Sequence, residues 1–140
     1  MKRFFSAQPL PAGETGLALV RIITGVLLVY HGMECFDGEK MKTYTGWFAD
    51  RKYSSPAAWA YAGKIAELLA GIGFVLGLFT RLACVASIAA FTGIIFLLGD
   101  KGKITQGDQH PFLFILLSMV FLFRGGGPFS LDKLFLDRGA

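Results

Sequence analysis

Between Leu82 and Gly99 the chain reads "LACVASIAAFTGIIFLLG", 18 residues without a charge. A helix needs ~20 mostly apolar residues to cross a bilayer, so this block qualifies by itself. Three more apolar blocks accompany it: Gly16 to Met33 ("GLALVRIITGVLLVYHGM"), Ala57 to Phe79, and Pro111 to Phe123 ("PFLFILLSMVFLF"). These three reach spanning length only by accepting a charge or drawing in flanking glycines. Helices of a soluble bundle would each carry a polar face, and these blocks have none. With 54% hydrophobic and 17% charged residues and a mean hydropathy of +0.53, the chain is expected to be an all-α polytopic membrane protein. The expected form is a four-transmembrane-helix bundle in one domain, residues 1–140, with spans near 16–33, 57–79, 82–99 and 111–128.

The connections follow from the blocks. "MKRFFSAQPLPAGET" starts basic, but prolines and a glutamate precede the first apolar block. It reads as a short tail, with Phe4 and Phe5 at the interface, rather than a removable signal peptide. The insert from Glu34 to Pro56 carries four acidic and four basic residues. Within it Met41, Tyr44, Trp47 and Phe48 recur at helical spacing, which predicts a short amphipathic helix on the membrane surface. A tight turn is expected at Thr80 and Arg81, and a polar loop at "DKGKITQGDQH". After the "GGGP" break, Ser130 is placed to cap a short tail helix.

Four spans put both termini on one side. Lys and Arg number six on that side and six on the other. The count fixes no orientation, but the basic residues of the turn and tails lack the acidic neighbours of the long loop. That favours cytoplasmic termini.

Charges inside apolar spans need partners, because each costs ~2.5–3.5 kcal/mol at a helix centre. Arg21 in the first span and Glu67 in the second are expected at depths differing by about 7 Å if the helices pack antiparallel, close enough to pair. Glycines at 25, 32 and 71 would let the helices approach. Such a pair is either a structural lock or a seat for a proton, an anion or a polar head group. A second cluster is expected at the two-loop end, where His31, Lys64 and His110 lie toward one membrane face with Glu34 and Asp108 nearby. Lys64 could instead snorkel to the head groups. A quinone or lipid head group suits this cluster. Haem or a metal does not, because neither histidine has a ligand spacing such as HxxxH or HxxE.

Cys35 and Cys84 fall at opposite membrane faces, too far apart to bridge within one chain, and there is no CxxC. The sequence has no phosphate-binding glycine loop and no DNA-reading element. Its net charge of +4 suits anionic lipid, not nucleic acid.

Taken together, "LVRIITGVLLVYHGME", "AELLAGIGFVLGLFTR", "HPFLFILLSMVFLF" and "GGGPFSLDKLF" resemble the DoxX family of small four-helix membrane proteins, from about Leu17 to Leu134. Arg21, Glu67, Arg81 and Asp132 match that family's polar pattern. The chain departs from it at Met33 and Glu34, where a lysine is frequent, and at His110, where an acidic residue is frequent. The resemblance implies a subunit of a thiosulfate:quinone oxidoreductase or of a complex handling oxidative stress. More distant relatives imply a second role, as assembly chaperones for membrane proteins. The expectation is therefore a small membrane subunit of a quinone-linked or oxidative-stress-related oxidoreductase complex. Its ligand-binding or buried polar network would comprise Arg21, His31, Glu34, Lys64, Glu67 and His110. Membrane lipids, a protein partner subunit and a second copy of the chain are its expected partners. A non-enzymatic scaffold is the alternative, and the sequence does not decide whether the chain catalyses anything.

Overall fold

The computed structural model describes residues 12–99, 105 and 107–135. Phe4, Phe5 and most of the polar loop after Gly99 fall outside the described residues. The described residues are helical, without strands: α1 (Gly13–Gly32), α2 (Gly38–Asp50), α3 (Pro56–Leu76), α4 (Thr80–Gly93), α5 (Gln109–Arg124) and α6 (Leu131–Phe135). A 3-10 turn, Met33–Phe36, extends α1, and a π-helical turn, Ile94–Leu98, extends α4. Three of these helical runs are long and apolar enough to cross a membrane: Gly13–Phe36, Pro56–Leu76 and Thr80–Leu98. The fourth, α5, is apolar but has only 16 residues, about 24 Å at 1.5 Å per residue. It stops at Arg124 rather than near residue 128, because Gly125 takes a positive φ of 72° and a Gly-Gly-Pro run follows.

α1 and α3 pack antiparallel and so closely that side chains are excluded at the crossing. A Cβ on Gly25 would lie 2.8 Å from the Gly71 carbonyl oxygen, and one on Gly71 would lie 2.6 Å from the Val29 nitrogen. One on Gly32 would run into the backbone of Leu68. In a bilayer, where helices gain nothing by hiding apolar surface from lipid, such close backbone approach is what holds them together. The turn between α3 and α4 falls at Gly77–Phe79, ahead of the expected Thr80 and Arg81. Gly77 adopts φ 62° there, and Leu78 N–H donates back to the Gly73 carbonyl at 3.0 Å. Glycine takes that left-handed backbone without penalty, and the back-bond satisfies an orphan carbonyl of α3.

The core lies between α1, α3, α4 and α5. Phe91 stacks on Phe114 at 4.9 Å, Phe74 meets Phe121 edge-on at 5.6 Å, and Leu28 and Cys84 are fully buried among them. Ser118 donates to Ser87 at 2.9 Å, joining α5 to α4 by one internal polar contact. Outside that core, large apolar side chains such as Leu69, Leu82 and Phe123 point outward and are well exposed. An outer surface of this kind needs hydrocarbon around it.

α2 begins where Asp37 accepts from Glu39 N–H and Lys40 N–H, an N-cap. The expected amphipathic helix is present, with part of its apolar side packed onto α3 and Trp47 left exposed. Met41 and Phe48 are buried with Ala60 of α3, and Tyr53, Leu97 and Leu98 pack around them. At the far end Ser130 Oγ accepts from Lys133 N–H at 3.3 Å, capping α6.

Candidate functional site

Five of the six singled-out residues gather at one end of the bundle. Lys64 and Glu67 stand three residues apart on one face of α3, and Glu34 sits on the 3-10 turn that closes α1. Lys64 Nζ lies 3.0 Å from Glu34 Oε2 and 3.1 Å from Glu67 Oε2, bridging two carboxylates. Glu67 is 2% exposed, and the Lys64 and Glu34 side chains only 14% and 13%. α2 completes the site: Lys40 Nζ reaches Glu34 Oε1 at 2.8 Å, and the Tyr44 hydroxyl donates to Glu34 Oε2 at 2.6 Å. The Lys64 ammonium also sits 4.8 Å above the Tyr44 ring, a cation–π contact.

Those contacts shift the groups on α2. The hydrogen bond to Glu34 holds the Lys40 ammonium above its ordinary range. Burial, then the same carboxylate, pushes the Tyr44 phenol upward. The two histidines complete this end. The His31 ring lies 5.7 Å from that of His110, and both stand edge-on to Phe114, at 6.5 and 5.3 Å. His31 is half-buried and His110 is exposed. The cluster thus offers anionic oxygens, one central cation, and imidazoles flanked by aromatic edges.

Arg21 is not part of it, and the expected Arg21–Glu67 pair does not form. The glycine crossing sets Gly25 against Gly71 and Gly32 against Leu68, which brings the Arg21 guanidinium beside Gly77. Glu67 is ten residues further along α3, about 15 Å away at 1.5 Å per residue, twice the expected offset. Arg21 is buried at the opposite end of the bundle, where Nη1 donates to the Gly126 carbonyl at 2.5 Å and Nη2 to the Phe129 carbonyl at 2.6 Å. Lys64 does not snorkel outward either, because its two carboxylate partners hold it.

Sequence reasoning missed Lys40 and Tyr44 as members of the cluster. The signal was present: an N-cap at Asp37 starts α2 so that both fall on one face, four residues apart. It also missed the partner of Asp132, whose carboxylate accepts from Phe79 N–H at 2.6 Å and Thr80 N–H at 2.8 Å, capping α4.

The DoxX family profile matches residues 16–100, from α1 to the end of the α4 run. This chain belongs to the DoxX family. The match takes in Arg21, His31, Glu34, Lys64 and Glu67 but stops short of His110 and Asp132. Family and apolar helices together make this DoxX chain a membrane protein. Among curated proteins it is 28% identical over 119 residues to a Bacillus subtilis (strain 168) protein named "Putative oxidoreductase CatD", covering 85% of this chain and 86% of that one. It is 30% identical over 128 residues to an uncharacterized Haemophilus influenzae protein, covering 87% and 92%. No solved structure matches.

Proposed function

We propose that this DoxX chain crosses the bacterial inner membrane four times. It serves as the small membrane subunit of an oxidoreductase complex and seats a quinone head group at the Glu34–Lys64–Glu67 end. The observation that carries this is the Lys64 ammonium held between two carboxylates inside otherwise apolar helices. Ionisable groups in spanning segments are costly and mark sites where polar ligands or protons are handled. His31 and His110, next to that network, are the side chains available to hydrogen-bond a quinone carbonyl. The oxidoreductase name of the Bacillus subtilis relative supports the same reading.

The test is thermal melting of the purified full chain with a saturating quinone analogue, beside mass spectrometry of an organic extract. Quinone at stoichiometric amounts and a melting shift lost in His110→Ala support the site. Bulk lipid alone in the extract and an unchanged melting temperature sink it.

One feature favours a second reading. Glu34, Lys64 and Glu67 satisfy one another, with Lys40 and Tyr44 filling the remaining contacts, as a purely structural lock would. On that reading the chain is a membrane scaffold or assembly chaperone. A stable partner should then be captured from native membranes and survive His31→Ala and His110→Ala.

A further inference from the structure

At the end opposite the Lys64 cluster, an open cleft of about 620 Å³ runs between the α3–α4 turn and the Gly-Gly-Gly-Pro segment. Arg81, Arg124 and Lys133 line it, three cations against the single carboxylate of Asp132. That carboxylate is already turned onto the backbone N–H groups that open α4. Arg124 is engaged by Glu14, whereas Arg81 and Lys133 are exposed and form no ion pair among the described residues. The Thr80 hydroxyl, on a residue 0% exposed, has no hydrogen-bond partner there and also lines the cleft. A second depression of about 400 Å³ continues from it along the outer surface between α3 and α4. The two share Phe79 and Leu82, and the second is walled by apolar side chains such as Leu69, Ile72 and Leu76.

A basic cleft opening into an apolar groove on a membrane-facing surface has the polarity of one molecule class. We propose that cleft and groove together bind a single anionic phospholipid. Its phosphate lies between Arg81 and Lys133, and an acyl chain follows the α3–α4 groove. The cations select charge, since basic residues near a bilayer surface favour anionic lipid. The groove selects a lipid over a free anion. The site is independent of the quinone reading, which concerns the opposite end.

The test uses the full chain purified in mild detergent, titrated with phosphatidylglycerol, phosphatidylcholine or inorganic phosphate, with binding read by native mass spectrometry and thermal melting. Phosphatidylglycerol is expected to bind one per chain and raise the melting temperature, with phosphatidylcholine and phosphate doing neither. Arg81→Gln with Lys133→Gln should weaken phosphatidylglycerol at least about tenfold. Both side chains are exposed, so the lipid-free melting temperature should stay put, and Lys42→Gln on α2 should bind as the parent does. Equal binding of phosphatidylcholine, an unchanged affinity in the double variant, or a shift reproduced by inorganic phosphate alone would each overturn the proposal.

Discussion

Lys64 holds together two carboxylates, and one of them, Glu67, has no other ion-pair partner among the described residues. Replacing it with methionine keeps the volume but leaves Glu67, 2% exposed, as an uncompensated charge. Breaking a buried pair from one side costs about 3–5 kcal/mol, so Lys64→Met should melt far below the parent. Adding Glu67→Gln to that variant should restore part of the loss, a non-additivity that a double-mutant cycle reads directly. The same cycle run on Arg21→Met and Glu67→Gln should instead come out additive within about 0.5 kcal/mol, because those residues sit at opposite ends of the bundle. A large coupling between Arg21 and Glu67 would mean that the α1–α3 register described above is wrong. At this scale the sequence was half legible. The sequence reading grouped Lys64 with His31 and His110 but paired Glu67 with Arg21, because the partner of each buried charge depended on how α1 slides along α3.

That slide is set by glycines, and the same glycines predict what the helices tolerate. Gly71→Ala would force a Cβ into the Val29 nitrogen, 2.6 Å away, and should cost about 1–3 kcal/mol through backbone displacement. Gly63→Ala, on the same helix with nothing within 4 Å, should gain about 0.5–1 kcal/mol from helix propensity. Thermal melts of the two variants side by side separate packing from propensity. If Gly71→Ala matched Gly63→Ala, the close crossing would be disproved. For α2, Tyr44 ties the helix to Glu34, and both the Tyr44 phenol and the Lys40 ammonium titrate above their ordinary values. Raised values mean that the folded state binds these protons more tightly. Their contribution is therefore whole at neutral pH and erodes as pH climbs past about 10, the ordinary phenol value. Tyr44→Phe should lower stability by about 1 kcal/mol near pH 7 and show a shallower further loss in alkali. An alkaline melting profile parallel to the parent's would contradict this. The amphipathic spacing of Met41, Tyr44 and Phe48 made α2 legible as a helix. Its destination was not, because a face that small fits a helix flank as well as a bilayer.

Across the whole molecule, the proposed four-span topology puts α2 and α6 on opposite sides of the membrane. With Cys35 and Cys84 replaced, cysteines introduced by Lys42→Cys and Lys133→Cys should label from opposite sides with an impermeant maleimide. Labelling from one side would leave an odd number of crossings. The short α5, about 24 Å against a core of ~30 Å, then implies local thinning of the bilayer beside it. The block pattern made the apolar helices legible, but it gave four spans where three of the described runs are long and apolar enough to cross and α5 is shorter. It could not reveal that the tail folds back, because the contacts joining Arg21 to the Gly126 and Phe129 carbonyls span 105 and 108 residues of sequence. Those two bonds bear on biosynthesis. A ribosome makes Arg21 long before Gly126 and Phe129, so the guanidinium of the first helix waits for the two carbonyls that hold it in the finished fold.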